Sequence, residues 1–421
     1  MQKVRMIRSL ISAGMALAIP LSLGLAGTLG LLFVPAAPAV AADDGPTINY
    51  GGALRYNYRL QTWNETNKDR DGEFLLDTFR LEADGSYKDL TISAEYRFYS
   101  GYHMLHHGYV GWQATDRTNI QLGVHQVPFG IQPYSSHNWF FDVNYYVGLE
   151  DDYDAGIKSI TTGDNWTLKL AFYKEDEGNY TGSSLDSARY SYDLVNANLP
   201  VPDELGGGTV TRSNTEQNQF NVRYAYTFEH SDGNNTELGF SAEYGETYNT
   251  AIPIDGDRTG DHTAFAAHMV GNYGKWNIHL AAMTYEWDVE VPEDDPLGPI
   301  AKDVVAFGAY DFPYWIAAEG DIYLFNVAYN SGLSWGPFES LTFYNNYSTL
   351  QKSVDGWEDT QQNVLGMAAA AGPLYCYFDI AAGKNHAWLG EFPSTWYFGL
   401  GPGDPDADWE VRYNINIGYY F

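Results

Sequence analysis

Stretches of about 10 residues in which every second side chain is apolar recur along this chain, the pattern of a strand with two unlike faces. Residues 48 to 60 set Ile48, Tyr50, Leu54, Tyr56, Tyr58 and Leu60 against Asn49, Arg55, Asn57 and Arg59. The stretch LTISAEYRFYS sets Leu90, Ile92, Ala94, Tyr96 and Phe98 against Thr91, Ser93, Glu95, Arg97 and Tyr99. NIQLGVH, WTLKLAFY, FNVRYAYTF and the closing VRYNINIGYYF repeat it. A tilted strand that crosses a bilayer needs about 9 to 11 residues, which is the length seen here.

The connections alternate as regularly as the side chains. Short turns fall at YKD, ATDRT, TTGDN, EHSDGNN, YGK, SGLSWGPFES and AGP. Between them lie long, polar, acidic segments at 61–73, 100–107, 126–154, 174–217, 247–261, 287–319, 351–361 and 385–408. Seven short turns and eight long loops predict about 16 antiparallel strands with both termini on the short-turn side. The expected fold is all-β, a transmembrane antiparallel barrel with short periplasmic turns and long extracellular loops. A soluble β-sandwich also alternates, but its long and short connections need not alternate in register.

Lys3, Arg5 and Arg8 precede an apolar run from Leu10 to Val34, broken by Pro20, and Pro35 and the small-residue exit Ala39-Val40-Ala41-Ala42 follow it. That is the layout of a secretory signal peptide over 1–42, cut after Ala41 or Ala42, with the barrel over 43–421. Cleavage after Ala42 removes three positive charges and no acids, taking the net charge from -31 to -34 over 421 - 42 = 379 residues. Nucleic acid is a poor partner for such a surface. The single cysteine, Cys376, allows no intrachain disulfide. No later apolar stretch reaches the roughly 18 residues of a spanning helix. The 34 tyrosines and 12 tryptophans suit membrane interfaces, and a barrel with a wet interior can be polar on average while spanning lipid.

If tyrosine and leucine face lipid, the charged strand residues take the opposite parity. Arg55, Arg59, Arg80, Arg97, Lys169, Arg223 and Arg412 all face the lumen on this reading, and none has to sit in hydrocarbon. Closure makes the last strand a neighbour of the first, so Arg412, Arg55, Arg59, Arg80 and Arg97 line one wall. Glu82 and Glu95 share that parity and can pair with some of them. The third long segment, QVPFGIQPYSSHNWFFDVNYYVGLEDDYD, carries aromatic clusters that an exposed loop would not show to water. Folded into the barrel, it would bury those rings and turn Asp142, Glu150, Asp151, Asp152 and Asp154 toward the arginine wall. Opposed charges across a narrow aqueous path orient and filter solutes. The run EDDYD also reads as a solvated loop end.

These features resemble a general-diffusion porin, and more closely the phosphate-selective porin O and P family. The carrying residues are VPFGIQPYSSHNWFF, YYVGLEDDYDAGIK, AAGKNHAWLG and VRYNINIGYYF. The resemblance implies a homotrimer of 16-stranded barrels in the outer membrane of a Gram-negative bacterium, with the third loop constricting a water-filled pore. It also implies lipid and lipopolysaccharide as surroundings, small hydrophilic solutes as cargo, and recognition of the terminal aromatic strand by the barrel-assembly machinery. Phosphate selectivity in that family goes with an arginine ladder and a lysine-rich vestibule. Here 23 - 3 = 20 basic residues remain after the signal peptide and the loops are acidic, so a general or cation-preferring pore, or one for a neutral or carbohydrate solute, fits better.

His103, His106 and His107 fall in a glycine-flanked stretch, GYHMLHHGY, read as a loop, with His125 and His137 further on. Imidazoles three and four apart could share an ion on a helix but not in such a loop; GLSWG lies in the short turn SGLSWGPFES and makes no nucleophile elbow, and no HExxH or phosphate-cradling glycine loop occurs. The expectation is a channel without catalytic residues, metal or cofactor. The alternatives are a substrate-selective porin for carbohydrate or a phosphate-type anion, or a surface adhesin or receptor barrel using the 174–217 and 287–319 loops.

Overall fold

The computed structural model describes residues 45–178, 188–201, 207–390 and 399–421; the expected signal peptide lies outside them, as do parts of the fourth and eighth long loops. The alternating stretches become the strands of one antiparallel barrel: β1 Thr47–Gln61, β2 Glu73–Tyr87, β3 Leu90–Phe98, β4 His103–Thr115, β5 Thr118–Gln126, β6 Tyr153–Thr162, β7 Trp166–Asp176, β8 Asn214–Glu229, β9 Asn235–Asn249, β10 Thr259–Tyr273, β11 Trp276–Asp288, β12 Glu319–Asn330, β13 Ser340–Lys352, β14 Thr360–Ala371, β15 Leu374–Lys384 and β16 Glu410–Tyr420. Each pairs with the next, and β16 closes on β1 with Arg55 opposite Gly418 and Arg59 opposite Asn414. Closure leaves no unpaired sheet edge, which hydrocarbon would not tolerate.

The two faces separate as their chemistry requires. Tyr50, Leu54, Leu122, Phe220, Leu365 and Ile417 are exposed on the outside, whereas Asn57, Asn221, Asn326, Asn346, Asn414 and Asn416 are buried on the inside. A bulge in β2 inserts Asp77 between Leu76 and Thr78, which pair with Tyr56 and Arg55. The extra residue turns its carboxylate inward beside Arg55.

One predicted boundary is wrong. The second long connection spans only residues 99–102, so His103, His106 and His107 belong to β4 and not to a loop. The reason is a bulge at His106: Tyr96 pairs with Leu105 and Glu95 with His107. His106 bonds His107 at 2.8 Å and His107 bonds Ser93 at 2.9 Å, so consecutive imidazoles break the strict alternation that marks a strand.

Above the barrel, Val304–Ala309 and Phe312–Ala317 pair with each other, and Asp193–Leu194 joins them as a third strand. Val305, Phe307, Tyr314 and Ile316 of this sheet pack toward the third loop and the barrel wall, and Val304 and the fully buried Trp315 pack on its other face with Val195, Leu199 and Val210.

Candidate functional site

The third long connection, 127–152, is anchored inside the barrel by the polar inner face of β7 to β14. Lys169 on β7 donates to Gln132 at 2.5 Å, and Arg223 on β8 donates to the Gly130 carbonyl at 2.7 Å. The Ser135 carbonyl accepts from His279 at 2.6 Å and Asn326 at 2.9 Å. His137 is held between Asn277 and Asn346, the Val143 amide donates to Ser348 at 3.0 Å, and Gln362 donates to the Phe141 carbonyl at 2.9 Å. Apart from Lys169 and Arg223, these strand residues are amides, one hydroxyl and one imidazole, so they hold the loop with little added charge.

Packing reinforces the anchors. Val143–Val147 forms a 3₁₀ turn whose five residues are all buried, closed by Gly148 at φ 76°. A Cβ at Gly148 would stand 2.6 Å from the Tyr192 carbonyl, so glycine is required both for the left-handed turn and for the close approach. Tyr145 stacks on Phe141 with centroids 4.1 Å apart and hydrogen-bonds Tyr310; Tyr314 donates to the Tyr146 carbonyl at 2.5 Å. The rings that argued against an exposed loop are thus covered from above by the sixth loop.

The opposite wall, β16 to β3, carries the arginines. Arg55 pairs with Asp77 at 2.6 Å and Arg59 with Glu73 at 2.9 Å. Arg97 pairs tightly with Glu95, which Arg80 approaches at 3.9 Å. Among the described residues Arg412 has no carboxylate partner in ion-pair range; it donates to Asn414 at 2.8 Å and lies over the loop rings Trp139 and Phe140. Arg97 similarly lies 4.3 Å from the Tyr190 ring centroid. Arg223 and Lys169 are apart from this wall, and Arg223 pairs with Glu237 at 2.8 Å.

The five acidic candidates have three different surroundings. Asp142 accepts from Ser135 at 2.8 Å and Asn326 at 2.6 Å, and Glu150 accepts from the same Ser135 hydroxyl at 2.8 Å. Asp151 accepts from Tyr190 at 2.5 Å and Gln126 at 3.1 Å. Asp152 and Asp154 lie near Asp193 of the fourth loop. Among the described residues none of the five forms an ion pair with a wall arginine.

Desolvation dominates the loop carboxyls. Burial lifts Asp142 to about 6, against hydrogen bonds from Asn326 and Ser135 that favour its charge. Glu150 rises for the same reason and because Asp142 is close. Asp151 reaches about 6, with burial opposed by its Tyr190 bond and by Arg97.

Sequence pattern missed two contributors. Asp77 was hidden by its bulge, which reverses parity at one residue. Lys158, inward on β6 and donating to the Gln126 carbonyl at 2.6 Å, was legible from its alternation with Ile157 and went unused.

A closed strand barrel with an apolar outside, a polar inside and one inward-folded connection defines a transmembrane channel of the porin class. The family model for phosphate-selective porin O and P matches residues 48–289, and the chain belongs to that family. It is an outer-membrane channel through which ions and small solutes diffuse. Solved structures share the fold: OmpF of Salmonella typhi in complex with daunomycin (TM-score 0.54, 10% identity, 90% of this chain and 99% of that one) and the trimer form of OmpT of Vibrio cholerae (TM-score 0.53, 14% identity, 90% and 100%). The anion-selective porin from Comamonas acidovorans is similar at TM-score 0.52 and 12% identity, over 90% of this chain and 100% of that one. No curated protein sequence matches the chain.

Proposed function

We propose that solutes cross this porin through a narrow path between the arginine-bearing wall of β1, β2 and β3 and the inner edge of the third loop, which meets β16 at Arg412. The observation that supports it is the one-sided anchoring of the loop: its hydrogen bonds run to β7, β8 and β9 and to β11 through β14. The arginine wall is left as the opposite side of the passage. Tyr134, Trp139 and Phe141 are partly exposed at the loop edge, as are Arg55, Arg59 and Arg80 on the wall.

Wall arginines matched to Asp77, Glu73 and Glu95 make a passage of fixed dipoles with little net charge, and buried loop carboxyls near their proton-binding midpoint add little more. Such a constriction orients polar solutes and discriminates weakly by charge, while the acidic outer loops concentrate cations at the mouth. The protein acts as a passive, non-enzymatic general-diffusion channel and needs no cofactor. It works as a homotrimer set in lipopolysaccharide and inserted by the barrel-assembly machinery.

Planar-bilayer recording of the purified protein tests this reading. Expected are discrete open-channel steps and a reversal potential in a salt gradient that favours cations modestly. An absence of steps would fit a plugged adhesin barrel, and strong anion preference would fit a phosphate-type pore; either defeats the proposal.

A further inference from the structure

At the outer end of β6 the chain collects carboxylates that the passage does not use. Asp152 closes the third loop, Asp154 begins β6, and Asp193 belongs to the short strand of the fourth loop that pairs with Phe307 and Gly308. One oxygen from each lies within 4.8 Å of the others, and all three residues are buried. Asp176, Glu177 and Glu216 surround them.

Among the described residues the group has one ion-paired cation. Arg189 bonds Asp176 at 2.6 Å and Asp193 at 3.2 Å, which leaves Asp152 and Asp154 with no ion pair among the described residues. Neutral donors go elsewhere: the Leu194 amide donates to Glu216 at 2.8 Å and the Ser191 amide to Glu177 at 2.8 Å. Gln219 donates at 3.2 Å to one oxygen of Asp154. Among the described residues the second oxygen of Asp154 and Oδ1 of Asp152 have no hydrogen-bond partner, although the residues are only 2% and 8% exposed. Orphaned, buried carboxylate oxygens converging on one point are costly unless something positive stands between them.

We propose that Asp152, Asp154 and Asp193 bind one calcium-type divalent cation that staples the third loop, β6 and the fourth loop together. The chemistry selects the ion. All donors are hard oxygens, which suit calcium better than zinc, and oxygens about 2.3 to 2.6 Å from a shared calcium can be at most about 5 Å apart, as these are. A proton shared between two acids is the competing way to lower the charge. That route is taken by Glu177 and Asp193, which hydrogen-bond each other, whereas Asp152 meets its acidic neighbours only as repulsion. Because Asp193 is on the strand paired to the sixth loop, the ion would tie three loops to one strand end.

The test is calcium titration by calorimetry of the full-length, detergent-solubilised barrel after chelator treatment, in salt high enough to screen diffuse attraction. One saturable site per chain is expected. D152N/D154N should weaken it by at least about tenfold, while D255N/D257N, on the exposed fifth loop, should leave it unchanged. Independently of any variant, calcium should slow proteolysis of the wild-type fourth loop. A wild type with no saturable site, a site unaltered by D152N/D154N, or proteolysis indifferent to calcium would each overturn the proposal.

Discussion

The guanidinium of Arg412 lies 5.1 Å from the ring centroid of Trp139, so the last strand meets the third loop through a cation on an aromatic face. Phe140 adds a second ring at 4.9 Å. A desolvated contact of this kind contributes about 1 to 2 kcal/mol. R412M should therefore loosen the loop edge by about that amount without opening the barrel. Single-channel recording would register it as greater open-channel noise at unchanged barrel heat stability. Unaltered noise would mean that the hydrogen-bond anchors on β7 to β9 and β11 to β14 hold the loop alone.

Those anchors carry a pH dependence. Asp142 is lifted to about 6 by burial, so docking the loop takes up a proton between about 6 and the ordinary aspartate value near 4. Docking stability from this group is fully present below the lower value and is lost as pH rises through the higher one. Glu150 faces Asp142 across Ser135 and is raised as well, which reinforces the sign. Open-channel noise should fall on acidification from neutral pH toward pH about 4, and D142N should flatten that dependence. Noise that rises on acidification in the wild type would reverse the assignment.

Asn326 tests the same anchor from the barrel side. It donates to Asp142 at 2.6 Å and to the Ser135 carbonyl at 2.9 Å and is fully buried. N326L removes both donors and leaves two buried acceptors short, at a cost of about 1 to 3 kcal/mol for each. Proteolysis within 127–152 should become faster while the outer barrel stays resistant. Equal resistance of loop and barrel would show that packing around Val143–Val147 suffices.

The barrel was legible because lipid on one side and water on the other force a period of two, and because a membrane fixes strand length. Inward parity was legible for the same reason: Arg55, Arg59 and Arg97 alternate with residues that must face hydrocarbon. What each charge touches was not legible. Asp77 reaches Arg55 only because a bulge adds one residue, and His106 was lost to a loop by a second bulge. The loop carboxylates were read as facing the arginines, yet Asp142 and Glu150 bond Ser135 of their own loop. The direction in which a folded-back loop turns its acids depends on which strand supplies its donors, here Asn326 on β12, and that choice is tertiary.

Charge pairing on the wall gives a selectivity prediction. Arg55 with Asp77 and Arg59 with Glu73 are partly exposed pairs, so R55Q/R59Q removes two cations, leaving Asp77 without its ion pair and Glu73 with only the exposed Arg70. The reversal potential should move toward cations. Extending the substitution to Arg97 is expected to destabilise the barrel as well, because the buried Glu95 would lose its tight partner and keep only the longer Arg80 contact at 3.9 Å. An unchanged reversal potential in R55Q/R59Q would mean that ions do not pass this wall.

The two faces of a single strand test the membrane itself. Lys169 and Leu170 are adjacent in the middle of β7: the lysine amine reaches inward to Gln132, while Leu170 is 48% exposed on the outer surface. In lipid, an arginine at Leu170 places its charge in hydrocarbon, at about 2 to 4 kcal/mol near the midplane. In a soluble barrel the same substitution would be nearly neutral, since the site is solvent-exposed. K169M removes one hydrogen bond and should cost only about 0.5 to 1.5 kcal/mol. Urea unfolding in lipid vesicles should therefore rank L170R as the more damaging change, although it is the lysine that faces the barrel interior. The opposite ranking would place β7 with its leucine face against protein or water, and the parity that assigns every inward charge would have to be inverted.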